Sequence, residues 1–256
     1  QKVDTRYVGT GLVGSFEAAD SLWFWDVNAA WSRNEAEQTN RGSYNIYNIA
    51  LALGDPDACA AVAGCVPLDI FGAGTITPQM LGWIQPLVRD ESRNELRLAS
   101  ANISGELFEL PAGDLSMAVG IEHRKDEGRF VPDAFAQSGQ YTGLAASTTL
   151  GEYEVDEAYI EFNVPILSDM AFARELTVNV ASRYSDYSNF GDTINSKFSV
   201  LWRPSDALAV RGTWAEGFRA PSIDNLYGGT GASFEQYTDP CSVGVPGSVN
   251  GNAACN

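Results

Sequence analysis

The chain has 256 residues, 45% hydrophobic and 19% charged, which makes it an ordered chain and excludes a disordered one. Its 33 acidic residues outnumber 16 Lys and Arg, a net charge of −17, and this argues against a nucleic-acid partner, whose phosphates need a basic face. No stretch reads as a membrane-spanning helix, because the uncharged run from Ile70 to Val88 is interrupted by Gly72, Gly74, Pro78 and Pro86.

Period-two alternation dominates from the start, which is a strand signal. A first strand is expected over 5–16 and a second over 21–40. In the second, Trp23, Trp25, Val27, Ala29 and Trp31 form one face, and Phe24, Asp26, Asn28, Ala30 and Ser32 the other. A long loop follows over 41–91. Within it Asp55-Pro56 can start a short helix through Val62, with Gly64 just past its end, and Thr77-Pro78 can start another covering Gln79 to Ile84. A third strand over 92–109 has mixed parity: Leu96 and Leu98 share one face, Ala99, Ala101, Ile103 and Leu107 the other, and a bulge near Ala99 would reconcile them. The fourth, over 114–128, sets Leu115, Met117, Val119 and Ile121 against Ser116, Gly120, Glu122 and Arg124. After a loop over 129–151, further strands are expected over 152–164, 174–188, 193–203 and 207–220, and then a loop over 221–256.

The connections alternate between short and long, with 189–192 as the exception. Transmembrane barrels carry short periplasmic turns and long extracellular loops in this way. Several strands exceed ten residues, and about 9–11 suffice to cross a bilayer. Trp23 and Trp31 stand eight residues apart on one face, roughly 20 Å of height at about 3.3 Å per residue and a tilt of about 40°. Trp23, Trp25 and Trp202 would then form the periplasmic aromatic girdle, with Trp31 and Tyr184 toward the outside. The fold class expected is all-β: an antiparallel transmembrane β-barrel segment of about eight long strands. Rings filling the core of a soluble β domain are the plainer alternative.

The four cysteines form two close pairs, Cys59 with Cys65 and Cys241 with Cys255. Four cysteines allow three connectivities, of which local pairing is the simplest. Disulfides place the chain in an oxidising compartment. Metal binding is the weaker rival, since His123, the sole histidine, lies far from both pairs. Catalytic groupings are not seen. One histidine does not make a Ser-His-Asp triad. Glu157 and Glu161, four apart on a strand, stand roughly 13 Å apart, too far for a glycosidase pair. No enzyme activity and no cofactor are expected.

Three stretches resemble TonB-dependent receptors. Gly105-Glu106-Leu107-Phe108-Glu109-Leu110-Pro111-Ala112-Gly113 with Gly120-Ile121-Glu122-His123-Arg124 is similar to a hairpin in which a Pro-Ala-Gly turn leads into a Gly-x-Glu-x-Arg strand. Glu157-Ala158-Tyr159-Ile160-Glu161 through Val164-Pro165-Ile166-Leu167 is similar to a Glu-x-Tyr-x-Glu strand ending in Val-Pro-Leu. Gly217-Phe218-Arg219-Ala220-Pro221 is the most specific of the three. The resemblance covers about 90–241, and more loosely the ends. It implies an outer-membrane receptor of a Gram-negative bacterium that takes up a scarce solute, such as a siderophore, cobalamin or glycan. Its partners would be outer-membrane lipid, a plug domain, the remainder of the barrel, and the TonB energy-coupling protein acting through the plug. No plug, TonB box or terminal aromatic strand is recognised, so the chain is expected to be a middle piece whose true start lies upstream.

Residues of the polar parity are expected to line the lumen: Glu122, Arg124, Glu157, Glu161, Arg183, Lys197, Arg211 and Arg219. A structural charge ladder is the plainer reading of the same residues. Loop aromatics are the ligand-contact candidates: Phe71, Trp83, Phe135, Tyr141, Tyr227, Phe234 and Tyr237. Loop packing is the plainer reading of each. Two rival functions are a passive porin and a secreted sugar-binding β-sandwich.

Overall fold

Long alternation of apolar with polar residues produces long strands such as Ser21–Asn40, of 20 residues, and the longest strand reaches 23 residues. The computed structural model describes residues 1–140, 142–230 and 233. Its strands are β1 (Lys2–Ala18), β2 (Ser21–Asn40), β3 (Val88–Leu110), β4 (Gly113–Val131), β5 (Thr149–Met170), β6 (Ala173–Tyr187), β7 (Gly191–Ser205) and β8 (Leu208–Ala215). All eight form one antiparallel sheet in chain order, β1 to β8, each strand paired to the next. The sheet is open, with β1 and β8 at its edges. A β-sandwich needs two sheets, so that alternative fails for the described residues.

The turns at one end are tight. Ala19 and Asp20 join β1 to β2 with φ of 54° and 61°, the positive values a two-residue primed turn requires. The β3–β4, β5–β6 and β7–β8 links are equally short. Bulges sit beside three of the four: between Glu106 and Phe108, between Pro165 and Leu167, and between Trp202 and Ser205. Pro165 thus stands beside a bulge and Pro204 within one, where a missing N–H is tolerated. No bulge occurs near Ala99. The β3–β4 register runs unbroken through Leu98↔Arg124 and Ala99↔His123. Leu107 is the bulged residue instead, and Leu96 and Leu98 belong to the same face as Arg124 and Asp126.

Residues opposite one another in an antiparallel pair point to the same side, so the register sorts the sheet into two faces. One face carries an apolar band near the short turns and then turns sharply to charge. The step falls between Val8 and Arg6 on β1, Trp31 and Arg33 on β2, and Ala99 and Arg97 on β3. It falls between Ile121 and His123 on β4, Ala158 and Asp156 on β5, Tyr184 and Asp186 on β6, and Ile194 and Asp192 on β7. Val8, Leu12, Ile121 and Ile194 are each more than 60% exposed, so these positions of the band have no cover among the described residues. The opposite face is polar and carries Asp26, Asn102, Glu122, Glu157, Arg183 and Lys197.

Strand 8 ends at Ala215, five residues short of the expected limit. Its last rung uses a side chain: Ser196 N–H donates to Glu216 Oε2 at 2.9 Å, and Glu216 N–H donates to the Ser196 carbonyl at 2.9 Å. Gly217 and Pro221 then release the chain from the ladder. The helix α5 (Ile223–Tyr227) follows, with Ser222 as its N-cap.

The second unit comprises described residues of 40–88, 134–147, 230 and 233. It holds α1 (Ile46–Leu53), α2 (Pro56–Ala60), α3 (Pro78–Ile84) and α4 (Ala134–Gln137). Asp55 and Thr77 cap α2 and α3 at the Pro-first starts read from sequence. The first helix stands where the sequence reading had only loop. Asn45 caps it by accepting from Asn48 N–H at 3.0 Å, and Gly54 ends it. The Cys59–Cys65 disulfide forms with Cα atoms 5.4 Å apart. Non-reducing peptide mapping of the full-length protein should return this pair, and a proposed Cys241–Cys255 pair that lies outside the described residues. A bridge joining the two regions would contradict local pairing.

Candidate functional site

A continuous polar network crosses the polar face from β2 to β6. Asn28 Nδ2 and Asn102 Nδ2 both donate to Asp26 Oδ2, at 2.6 and 2.8 Å. The Tyr159 hydroxyl donates to Asn102 Oδ1 at 2.9 Å. The Arg183 guanidinium lies 5.3 Å from the Tyr159 ring centre, within cation–π range, and reaches Glu157 at 3.2 Å. Ser185 donates to the other Glu157 oxygen.

This network skips β4 because Gly120 stands in the way and has no side chain. A Cβ there would lie 2.2 Å from Asn102 Oδ1 and 2.4 Å from the Tyr159 ring. Gly120→Ala should therefore break the Tyr159–Asn102 bond and cost about 1–3 kcal/mol. Chemical unfolding of the full-length protein in detergent would measure it, and an unchanged midpoint would contradict the network's role.

The expected lumen residues stand as follows. Glu122 and Glu157 face each other across β4 and β5, a repulsive arrangement. Arg124 offsets it at 3.4 Å from Glu122, and Arg183 at 3.2 Å from Glu157. Lys197 reaches Glu161 at 3.3 Å across Ala181, whose small side chain leaves room. Arg211 shares this face on the edge strand β8. Arg219 does not: it lies in the coil after β8 and is exposed.

That coil folds back onto the polar face. Phe218 joins a ring cluster with Tyr187 and Phe190, at centroid distances of 6.0 and 6.1 Å, and Tyr153 extends it. Val155 and Ser185 beneath are buried. Helix α5 then sits on two glycines paired across β4 and β5, Gly128 and Gly151. Ile223 lies over Gly128 and the Tyr227 ring over Gly151, with the Tyr227 hydroxyl donating to the Glu152 carbonyl at 3.0 Å. Residues 216–228 therefore form a strap across this face. Sequence reasoning missed it, although Ser222 directly ahead of Ile223 is a helix-start signal.

The loop aromatics separate into packed and exposed rings. Tyr227 belongs to the strap. Trp83 lies over Gly64 and donates to the Asn48 carbonyl at 3.2 Å, while Asn48 Nδ2 donates to the Trp83 carbonyl at 2.8 Å. Phe135 is half-buried in α4. Phe71 is 89% exposed, on a turn fixed by Asp69, whose side chain accepts the Phe71 N–H and whose carbonyl accepts the Thr75 hydroxyl. Tyr141, Phe234 and Tyr237 lie outside the described residues.

On the banded face, four residues beyond the last apolar position of β3 and outside the band, Glu95 is buried. Arg93, Trp31 and Arg97 all donate to it, and they hold its carboxyl down at about 2. Trp31 thus has its ring in the band and its N–H on the first charged rows.

A family model described as TonB dependent receptor-like, beta-barrel matches residues 1–254. No curated protein matches the chain.

Proposed function

The chain belongs to the TonB-dependent receptor β-barrel family, and from that premise we propose that it forms wall and surface loops of an energy-coupled outer-membrane importer for a scarce solute. Membership of this family implies the Gram-negative outer membrane and supports a receptor or transporter in general. The observation that carries the reading is the uncovered apolar band on one face, backed by a polar face. In lipid, spanning strands must satisfy every backbone group. The open edges at β1 and β8 therefore pair with further polypeptide in the complete barrel. The band faces acyl chains, and the polar face, with its charge network and strap, lines the lumen and meets a plug. The loop unit presents Phe71 to solute. Siderophores, cobalamin and glycans are the solute classes this reading admits.

Uptake by cells carrying the full-length receptor, with and without the energy-coupling protein, tests the proposal. Loss of uptake without the coupling protein is expected. Undiminished uptake would indicate a passive porin.

A further inference from the structure

On the banded face, beyond the charged step, the sheet holds a groove of about 470 Å³ whose cations are Lys2, Arg6, Arg33, Arg93 and Arg129. We propose that this groove docks a phosphorylated lipid headgroup of the outer leaflet. The inference rests on the band facing lipid, as proposed above, and adds a specific ligand chemistry to it.

Charge is the first argument. Five of the chain's 16 Lys and Arg residues stand here, with only four of its 33 acids. The groove is thus net positive in a chain of charge −17. Three of those acids are already engaged: Asp4 by Arg6 at 3.0 Å, Glu35 by Arg33, and Glu37 by Arg89 at 3.0 Å. Arg93 bonds Glu95 at 2.7 Å. Lys2 and Arg129 hold no carboxylate partner among the described residues, and both are exposed. Phosphate groups of a headgroup would supply the missing counter-charge.

Position is the second argument. Arg6 and Arg33 are directly paired across β1 and β2, one step beyond Val8 and Trp31 at the edge of the band. Arg93 and Arg129 are likewise paired across β3 and β4. Like charges set opposite one another are destabilising by themselves. The groove begins at the Arg6–Arg33 pair, one step beyond the edge of the band, so a lipid whose acyl chains lie on Val8 and Leu12 brings its headgroup to these guanidinium groups. Basic residues beside a membrane surface attract anionic headgroups in this way.

The test uses the full-length receptor and phosphatidylcholine vesicles containing a diphosphorylated glycolipid or its dephosphorylated form. Preference for the phosphorylated vesicles is expected. It should fall about tenfold or more in the R6E/R129E double variant and persist in R6K/R129K. Equal retention of both glycolipids, or no change on charge reversal, would overturn the proposal. So would displacement by excess inorganic phosphate, which would mark a free-anion site. Release of the wild-type protein from vesicles by alkaline carbonate would instead overturn the membrane reading beneath it.

Discussion

Arginine in place of Val119 should cost about 2–4 kcal/mol of folding stability, the cost of a charge near the bilayer midplane of a β-barrel. Val119 stands inside the band on β4, opposite Ile103 and Ile160. Arginine in place of His123, four residues further along the same face, should cost almost nothing. There the neighbours are Ala99 and Asp156, and His123 Nδ1 already contacts Asp156 at 2.8 Å, both side chains being at least half exposed. Denaturant refolding of the full-length receptor into lipid would give both values. Equal penalties at the two positions would mean that the charged step on β4 is not a membrane boundary.

Replacing Gly151 with Leu should eject α5 from the polar face. An added Cβ would lie 2.1 Å from the Tyr227 ring, so even the first carbon of the new side chain displaces the ring or the strand. Tyr227 would lose its bond to the Glu152 carbonyl, and Ile223 its seat on Gly128. Overpacking of this kind costs about 1–3 kcal/mol. The local sign is more telling: the bonds within residues 216–228 should become sensitive to added protease while those in β4 and β5 stay protected. An unchanged cleavage pattern would show that the strap does not depend on the glycine pair.

The banded strands were plain in the sequence because apolar residues recur at every second position from Trp23 to Trp31 on β2, Leu176 to Tyr184 on β6 and Ile194 to Trp202 on β7, broken only by Ser182 and Ser196. The charged step was not recognised. Arg33, Arg97 and Lys125 continue the parity of the band, and one parity was read as one environment. A strand of 23 residues is longer than the bilayer it crosses, so one parity passes from lipid to water. The same mixture suggested a bulge near Ala99 that the register does not contain. Helix α1 carries its cap and its stop, Asn45 and Gly54, yet Ile46–Leu53 has no charged face to show a helical period. Gly217 to Pro221 was recognised as a family motif, and its first four residues were still read as strand. What bends it inward is long-range packing of Phe218 on Tyr187 and Phe190, which no local pattern reports.

Environment-sensitive labels placed singly at residues 117–127 of the full-length receptor in lipid test the membrane reading most directly. The expected result has two parts. At 117, 119 and 121 a lipid-borne quencher should act, and at 118, 120 and 122 a water-soluble one, alternating with period two. Beyond Ile121 the alternation should stop, with 123, 125 and 127 open to the aqueous quencher although they share the face of Val119. Lipid quenching that continues through Lys125 and Glu127, or water access at Val119, would contradict a lipid-facing band ending at Ile121.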